Sequence, residues 1–337
     1  MTQSQEKIIK FLLENKSPYP HKVSKIQIKQ THISWILLTG RYAYKIKKQL
    51  RFGKILNFST LRLRKKYCQI EVKINKLLCP NLYLGVVKIV EKNGSIRIAN
   101  LQSKQKAIEY AVKMREIPQK YRMDILAKKN KITKKTIDHL IYLLIKFHKQ
   151  TPTSNKIKKF GHPKIILKKI DENFRTLETM KKINPKYEKK LISFINHNRE
   201  LFSKRITEGK IRDIHGDLYL KNIFVLNNSK FYLYDRIEFN ENLRFADIAE
   251  DVAHLSMDLD FIEKHDLRKY FISKYVKISK DVDLLKFVYF WMCYKALIRA
   301  KVSLFLAKNE KNKIKKINAL NNSKNFFKLA YSYLKLF

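Results

Sequence analysis

His215, Asp217, Asn222 and Asp235 stand close together in HGDLYLKNIFVLNNSKFYLYD (215–235). Two short β-prone runs, IFVL (223–226) and FYLY (231–234), separate Asn222 from Asp235 and are joined by NNSK, a loop of turn-forming residues. Paired as antiparallel strands, they set Leu226 against Phe231 and Ile223 against Tyr234, so the next pair outward is Asn222 with Asp235. Directly opposed residues hold their Cβ atoms about 4.5–5.5 Å apart. An amide oxygen and a carboxylate at that spacing can share Mg²⁺, a hard cation that takes oxygen ligands and keeps positions for water and phosphate. Asp217, in the loop entering the first strand, lies beside such a metal, where a base receiving a hydroxyl proton is needed. His215 is expected to brace the loop rather than react.

The surroundings of this stretch are unusual for the chain. The protein of 337 residues has a formal net charge of +44, yet between Asp235 and Asp266 acidic residues outnumber basic ones, a concentration that a bound cation would explain. Elsewhere lysines recur in RLRKKY, AKKNKITKK, MKKINPKYEKK and KNEKNKIKK, spread as background composition more than as one polyanion site. Nucleic acid is an allowed partner, not a required one. Cys68, Cys79 and Cys293 are far apart and form no C-x-x-C pair, which excludes a disulfide framework or zinc site of the usual spacing and fits a reducing, cytoplasmic setting. MTQSQEKIIKFLLENKSPYP reads as an amphipathic helix without the apolar core or cleavage site of a signal peptide. LLKFVYFWMCYKALIRAKVSLFLA is interrupted by Lys295, Arg299 and Lys301, so a buried helix is expected and not a membrane span. Snorkelling is the expected fate of Lys295 and Arg299, with a substrate anion as the alternative.

The elements that must position these residues fall into two lobes, 1–117 and 118–337. KIQIKQTHISWILLTGRYAYKIKKQL predicts a meander of about three strands with a turn at LTGR (38–41). NFSTLRLRKKYCQIEVKINKLL predicts a helix capped by Ser59 or Thr60, with an apolar stripe at Leu63, Tyr67, Ile70, Ile74 and Leu77. LGVVKIVEKNGSIRIAN predicts a hairpin turning at Asn93-Gly94, and KAIEYAVKMREIP a further strand ending at Pro118. From about residue 119 helical patterns such as ITKKTIDHLIYLLIKFHKQ dominate. The whole is an α+β chain with a small sheet-plus-helix lobe and a larger, mainly helical one.

HGDLYLKN followed by FYLYDRIE resembles the catalytic core of the aminoglycoside phosphotransferase and choline kinase group, relatives of the protein kinases. THISWILLTGRYAYKIKK, YCQIEVKINKLLCPNLYLGVV, EYAVKMREIP and YDRIEFNENLRFADIAEDVAHLSMDLD resemble, more narrowly, a microbial branch of that superfamily, in order from about residue 25 to 300. The resemblance implies a protein kinase-like two-lobed fold that moves the γ-phosphoryl group of ATP, with GTP the alternative, to a hydroxyl of a small molecule. It implies Asp217 as the catalytic aspartate, and Asn222 and Asp235 as Mg²⁺ ligands. Lys45 would be the phosphate-binding lysine, and Glu71 its partner. Lys47 shares Lys45's strand face by period two, so the choice between them rests on the resemblance. QTHIS (30–34), ending in Ser34, would be the turn over the phosphates, and adenine would lie against Glu109 to Glu116, a segment that includes Met114. Asp247 would support the catalytic loop by hydrogen bonding.

Several features depart from the group. No G-x-G occurs, so the Gly-rich loop of protein kinases is absent. Tyr219 stands where relatives commonly carry His, and Leu220-Lys221 replace a frequent Pro-Gly. DRIE replaces D-F-G, which disfavours an ordinary protein kinase. Members of the branch often carry a P-loop domain; with no G-x-x-x-x-G-K-[ST], the chain is expected to be the kinase-like unit alone. A catalytically silent, kinase-shaped protein holding nucleic acid is the competing expectation from another class.

Overall fold

The computed structural model describes residues 5–53, 55–180, 183–227 and 230–337. The first residues of the expected N-terminal helix (1–4) and Asn228–Ser229 of the expected turn lie outside them. Two compact units result. One contains the chain up to Tyr121 together with Tyr232–Glu241; the other contains Arg122–Phe231 and Asn242–Phe337.

The first unit opens with α1 (Gln5–Glu14), whose Ile8, Ile9 and Leu12 are buried. The meander follows as β1 (Gln27–Gln30), β2 (Ser34–Leu38) and β3 (Tyr42–Lys47), with Gly40 supplying the positive φ, 89°, that the turn before β3 requires. After the short strands β4 (Arg51–Phe52) and β5 (Leu56–Asn57) comes α2 (Leu61–Asn75), capped by Thr60, whose side chain accepts from Leu63 N. β6 (Tyr83–Lys92) and β7 (Ser95–Asn100) form the hairpin at Asn93-Gly94, both at positive φ, and β8 (Ala107–Arg115) completes an antiparallel sheet of order β1-β2-β3-β8-β6-β7. Leu37, Tyr44, Ile46, Ile89 and Ala111 anchor its core beneath α1.

The apolar stripe expected of α2 is not its deepest face. The buried residues are Arg64, Cys68, Glu71, Val72 and Asn75, while Leu77 is exposed. The helix turns this largely polar face inward because the sheet beneath it carries charges that need partners, as described below.

The second unit is helical. It begins with α3 (Met123–Lys128) and α4 (Lys134–Gln150), the latter closed at its start by a Thr133/Thr136 capping box. α5 (Asn155–Lys158), α6 (Pro163–Thr179), α7 (Lys186–His197) and α8 (Arg199–Thr207) lead to β9 (Ile211–Asp213). β10 (Ile223–Leu226) pairs with β11 (Lys230–Leu233) in a two-stranded sheet, and β12 (Phe245–Asp247) pairs antiparallel with β9. α9 (Ala249–Phe261), α10 (His265–Ser279), α11 (Leu284–Asn309) and α12 (Lys313–Tyr333) finish the chain. α11 is the buried helix expected from its apolar sequence, and among the described residues no helix is long and apolar enough to cross a membrane. The three cysteines are buried and free.

Candidate active site

In the first unit, β3 places Lys45 and Lys47 on one face by strand alternation, and α2 lays Glu71 between them. Lys45 Nζ donates to Glu71 Oε1 at 2.8 Å and to Asp235 Oδ1 at 2.5 Å. Lys47 Nζ donates to Glu71 Oε2 at 2.6 Å and to Glu238 Oε1. Burial alone would push both ammonium groups down. Asp235 and Glu71 outweigh it at Lys45, Glu238 and Glu71 outweigh it at Lys47, and both lysines stay charged well into the alkaline range. Burial likewise opposes ionisation of Glu71, but the two lysines hold its carboxyl below the usual range.

The segment 232–241 is fastened to α2 and β6 by its backbone and by the Arg236 side chain. Asp235 N donates to the Tyr83 hydroxyl at 3.1 Å, Arg236 N to Asn75 Oδ1 at 2.9 Å, and the Arg236 guanidinium to Ile74 O at 2.8 Å. Asp235 itself adopts φ = 67°, a left-handed conformation that aspartate tolerates better than most residues. β11 therefore stops at Leu233, and Asn222 closes a 3₁₀ turn (Leu220–Asn222), so neither residue continues the strand ladder extended to them by counting. Lys47 and Glu238 were the members of this cluster that sequence reasoning did not assign. The period-two placement of Lys47 beside Lys45 was the available signal.

Ser34 and Met114 lie in the same unit. QTHIS forms the β1–β2 turn, with Thr31 N donating to Ser34 O at 2.9 Å and Ser34 N to Thr31 Oγ1 at 3.0 Å; Ser34 Oγ is buried without a partner. Met114 is buried within β8, opposite Ala43 and Tyr83. Glu109 is a buried brace for α2, gripped by Arg64 Nε at 3.0 and 2.9 Å.

In the second unit the loop of residues 215–222 rests on α9. His215 N and Gly216 N donate to Asp251 Oδ2 and Oδ1 at 2.8 and 3.0 Å, and Gly216 at φ = 84° lets two successive amides point at one carboxylate. Asp251 also meets His148 Nε2 at 3.1 Å. These contacts overcome burial and hold its carboxyl down at about 2. Asp258 accepts from Leu220 N at 2.8 Å. The bracing expected of Asp247 thus belongs to Asp251 and Asp258. Asp247 is instead clamped by Arg205, at 2.5 and 2.6 Å, and accepts from Ala249 N.

The same contacts supply a second reason for the acidic stretch beside a bound cation. Five of its members in this unit serve as internal partners: Asp247 for Arg205, Asp251 and Asp258 for the loop amides, Asp260 for His265, Arg268 and Tyr333, and Glu250 for Lys295. Lys295 does not snorkel. It is buried and donates to Glu250 Oε2 at 2.6 Å, because an ammonium that cannot reach water must be paired.

Asp217 and Asp235 are different from these closed pairs. Their side chains are 36% and 39% exposed, whereas Glu71, Glu238, Asp247 and Asp251 are all at 4% or less. Asn222 donates its amide Nδ2 to Asp217 O at 3.0 Å, so Oδ1 is not the atom engaged in that contact. An open carboxylate such as that of Asp235 is a donor suited to Mg²⁺. Lys45 stands behind the Asp235 carboxylate, while Lys47 is engaged by Glu71 and Glu238.

No protein-family model matches the chain. Its fold is that of the aminoglycoside phosphotransferases and choline kinases. Aminoglycoside 2'-phosphotransferase-IIIa in its GDP complex matches with a TM-score of 0.51 and 13% identity, over 97% of this chain and 99% of that one. Choline kinase from Cryptosporidium parvum Iowa II matches with a TM-score of 0.51 and 12% identity, over 99% of this chain and 96% of that one. Nearer in sequence are uncharacterised proteins of Mycobacterium tuberculosis (strain H37Rv) and Mycobacterium bovis, 28% identical over 283 residues. The alignment covers 82% of this chain and 54% of each relative, so the chain spans about half the length of the curated relatives it matches.

Proposed function

We propose that the protein is a phosphotransferase that moves the γ-phosphoryl group of ATP to a hydroxyl of a small molecule. The observation that carries this reading is the buried Lys45–Glu71 ion pair ending on the open carboxylate of Asp235. Lys45 neutralises phosphate charge and Glu71 fixes its position. Asp235 and Asn222 would hold Mg²⁺, which supplies charge neutralisation on the phosphate oxygens when bound. Asp217 orients the acceptor hydroxyl and takes its proton, held for that task by a loop whose amides are tied to Asp251 and Asp258. Ser34 and Met114 belong to the nucleotide side of this reading, with the β1–β2 turn over the phosphates and the end of β8 beside the base.

The fold of the neighbours supports phosphoryl transfer without transferring their acceptors, since folds host many substrates. The test is release of ADP by the purified chain with Mg²⁺ and ATP, in the presence of candidate hydroxyl compounds. Asp217→Asn is expected to lower turnover by at least about 100-fold, the range of a lost general base. Unchanged turnover in that variant overturns the assignment.

A further inference from the structure

Beside Asp217 the second unit holds two polar side chains that its own protein partners do not satisfy. His254, on α9, is 3% exposed and neither ring nitrogen has a hydrogen-bond partner; its Nδ1 lies 3.9 Å from Asp217 Oδ1. Arg299, on α11, makes no ion pair among the described residues, and its Nε is buried without a hydrogen-bond partner. Its guanidinium lies 4.6 Å from the Tyr219 ring centroid and 5.7 Å from that of Phe326. Tyr219 in turn stacks on His254, with ring centroids 5.6 Å apart and an interplanar angle of 15°. Buried groups left without partners in a native protein call for a ligand or water.

The chemistry of these groups indicates what the ligand carries. Burial, with Lys295 and Arg299 nearby, keeps the His254 imidazole neutral, so one nitrogen donates and the other accepts. A hydroxyl oxygen about 2.8 Å from both His254 Nδ1 and Asp217 Oδ1 would see them about 90° apart, so it can accept from the ring while donating to the carboxylate. Arg299 presents a planar donor fork, the group suited to bidentate recognition of carboxylate or phosphate. Of the nearby acids, Glu250 pairs with Lys295, and Asp258, whose buried carboxyl feels the charge of Arg299, accepts from Leu220 N and makes no ion-pair contact with Arg299 among the described residues. Asp258 and Glu250 are both buried, so neither offers an exposed carboxylate to a cationic acceptor.

We propose that the acceptor is an alcohol bearing an oxyanion, a carboxylate or phosphate, whose charged group binds Arg299 and whose hydroxyl lies between Asp217 and His254. This rests on the phosphotransferase reading and names its substrate class.

The full chain is first titrated with Mg²⁺ and AMP-PNP by calorimetry; failure to bind counts against the phosphotransferase reading alone. In a second series glycerate, inorganic phosphate, choline and kanamycin are titrated, with Mg²⁺ and AMP-PNP held saturating whenever they bind. Glycerate and phosphate are expected to bind at millimolar concentrations or below, and choline and kanamycin not to. Arg299→Met is expected to weaken both anions by at least about tenfold, the lower range of a lost charge-assisted hydrogen bond, with partial recovery in Arg299→Lys. His254→Phe is expected to weaken glycerate more than phosphate, a difference that a merely structural histidine would not produce. Should Arg299→Met fail to fold, Arg299→Gln makes the same comparison. Absence of anion binding, anion affinity unchanged in the Arg299 variants, equal losses for both anions in His254→Phe, or saturable binding of choline or kanamycin overturns the proposal.

Discussion

The two units hold their buried charges in opposite ways. In the helical unit Arg205 closes on Asp247 and Asp281 with every member buried, and nothing in that triad is left open. In the sheet unit Lys45 and Lys47 share Glu71, but the cluster runs outward from Glu238 to Asp235, a carboxylate more than one-third exposed. A closed network of this kind specifies one packing. An open one keeps an acceptor where a ligand can reach it, and its buried members hold that acceptor in place.

Breaking the closed network has the largest expected effect. Arg205→Met leaves Asp247 buried without its cation and Asp281 with Lys210 alone, 3.6 Å away, and should cost about 3–5 kcal/mol in chemical denaturation. A loss below about 1 kcal/mol would mean that the triad is not the clamp described.

In the open cluster, Lys47→Met should cost about 3 kcal/mol, because Glu238 is then buried without its lysine. Adding Glu238→Gln should restore most of the melting temperature, since removing a buried pair together is often close to neutral. A double variant no more stable than the single one would show that the pair is coupled to something else.

A smaller effect distinguishes the loop brace. Asp251→Asn should cost about 1–3 kcal/mol, the range for a buried acceptor that loses charge. The Asp251 carboxyl lies lower in the folded protein, about 2, than its ordinary 3.8. Its contribution is therefore complete above the ordinary value and is lost as pH falls from there towards 2. Acid unfolding of Asp251→Asn should lack that part of the slope; an identical slope contradicts the assignment.

Much of this architecture was legible in sequence where local rules decide. The Gly40 turn, the Asn93-Gly94 hairpin, the Thr60 cap and the buried α11 follow from positive φ, capping and hydropathy, and each is in the structure. The α2 stripe was misread because apolar spacing ignores buried charge, and that helix turns Arg64, Glu71 and Asn75 inward. The acidic stretch hides its internal pairs for the same reason. Its partners, Arg205, Lys295 and the loop amides, come from distant parts of the chain or from backbone atoms that composition does not display. Lys45 and Lys47 could not be separated by strand period, and the structure explains why: both reach Glu71.

The open end of the sheet-unit cluster is expected to serve Mg²⁺ and a nucleotide. Calorimetric titration of the purified chain with ATP, with and without Mg²⁺, tests it on wild type, Lys45→Met and Asp235→Asn. Asp235→Asn is expected to keep its stability to about 1 kcal/mol, because its carboxylate is partly solvated. Wild type is expected to bind ATP only with Mg²⁺, and both variants to lose at least about tenfold in affinity. Binding that ignores Mg²⁺, or that survives in both variants, would contradict the account.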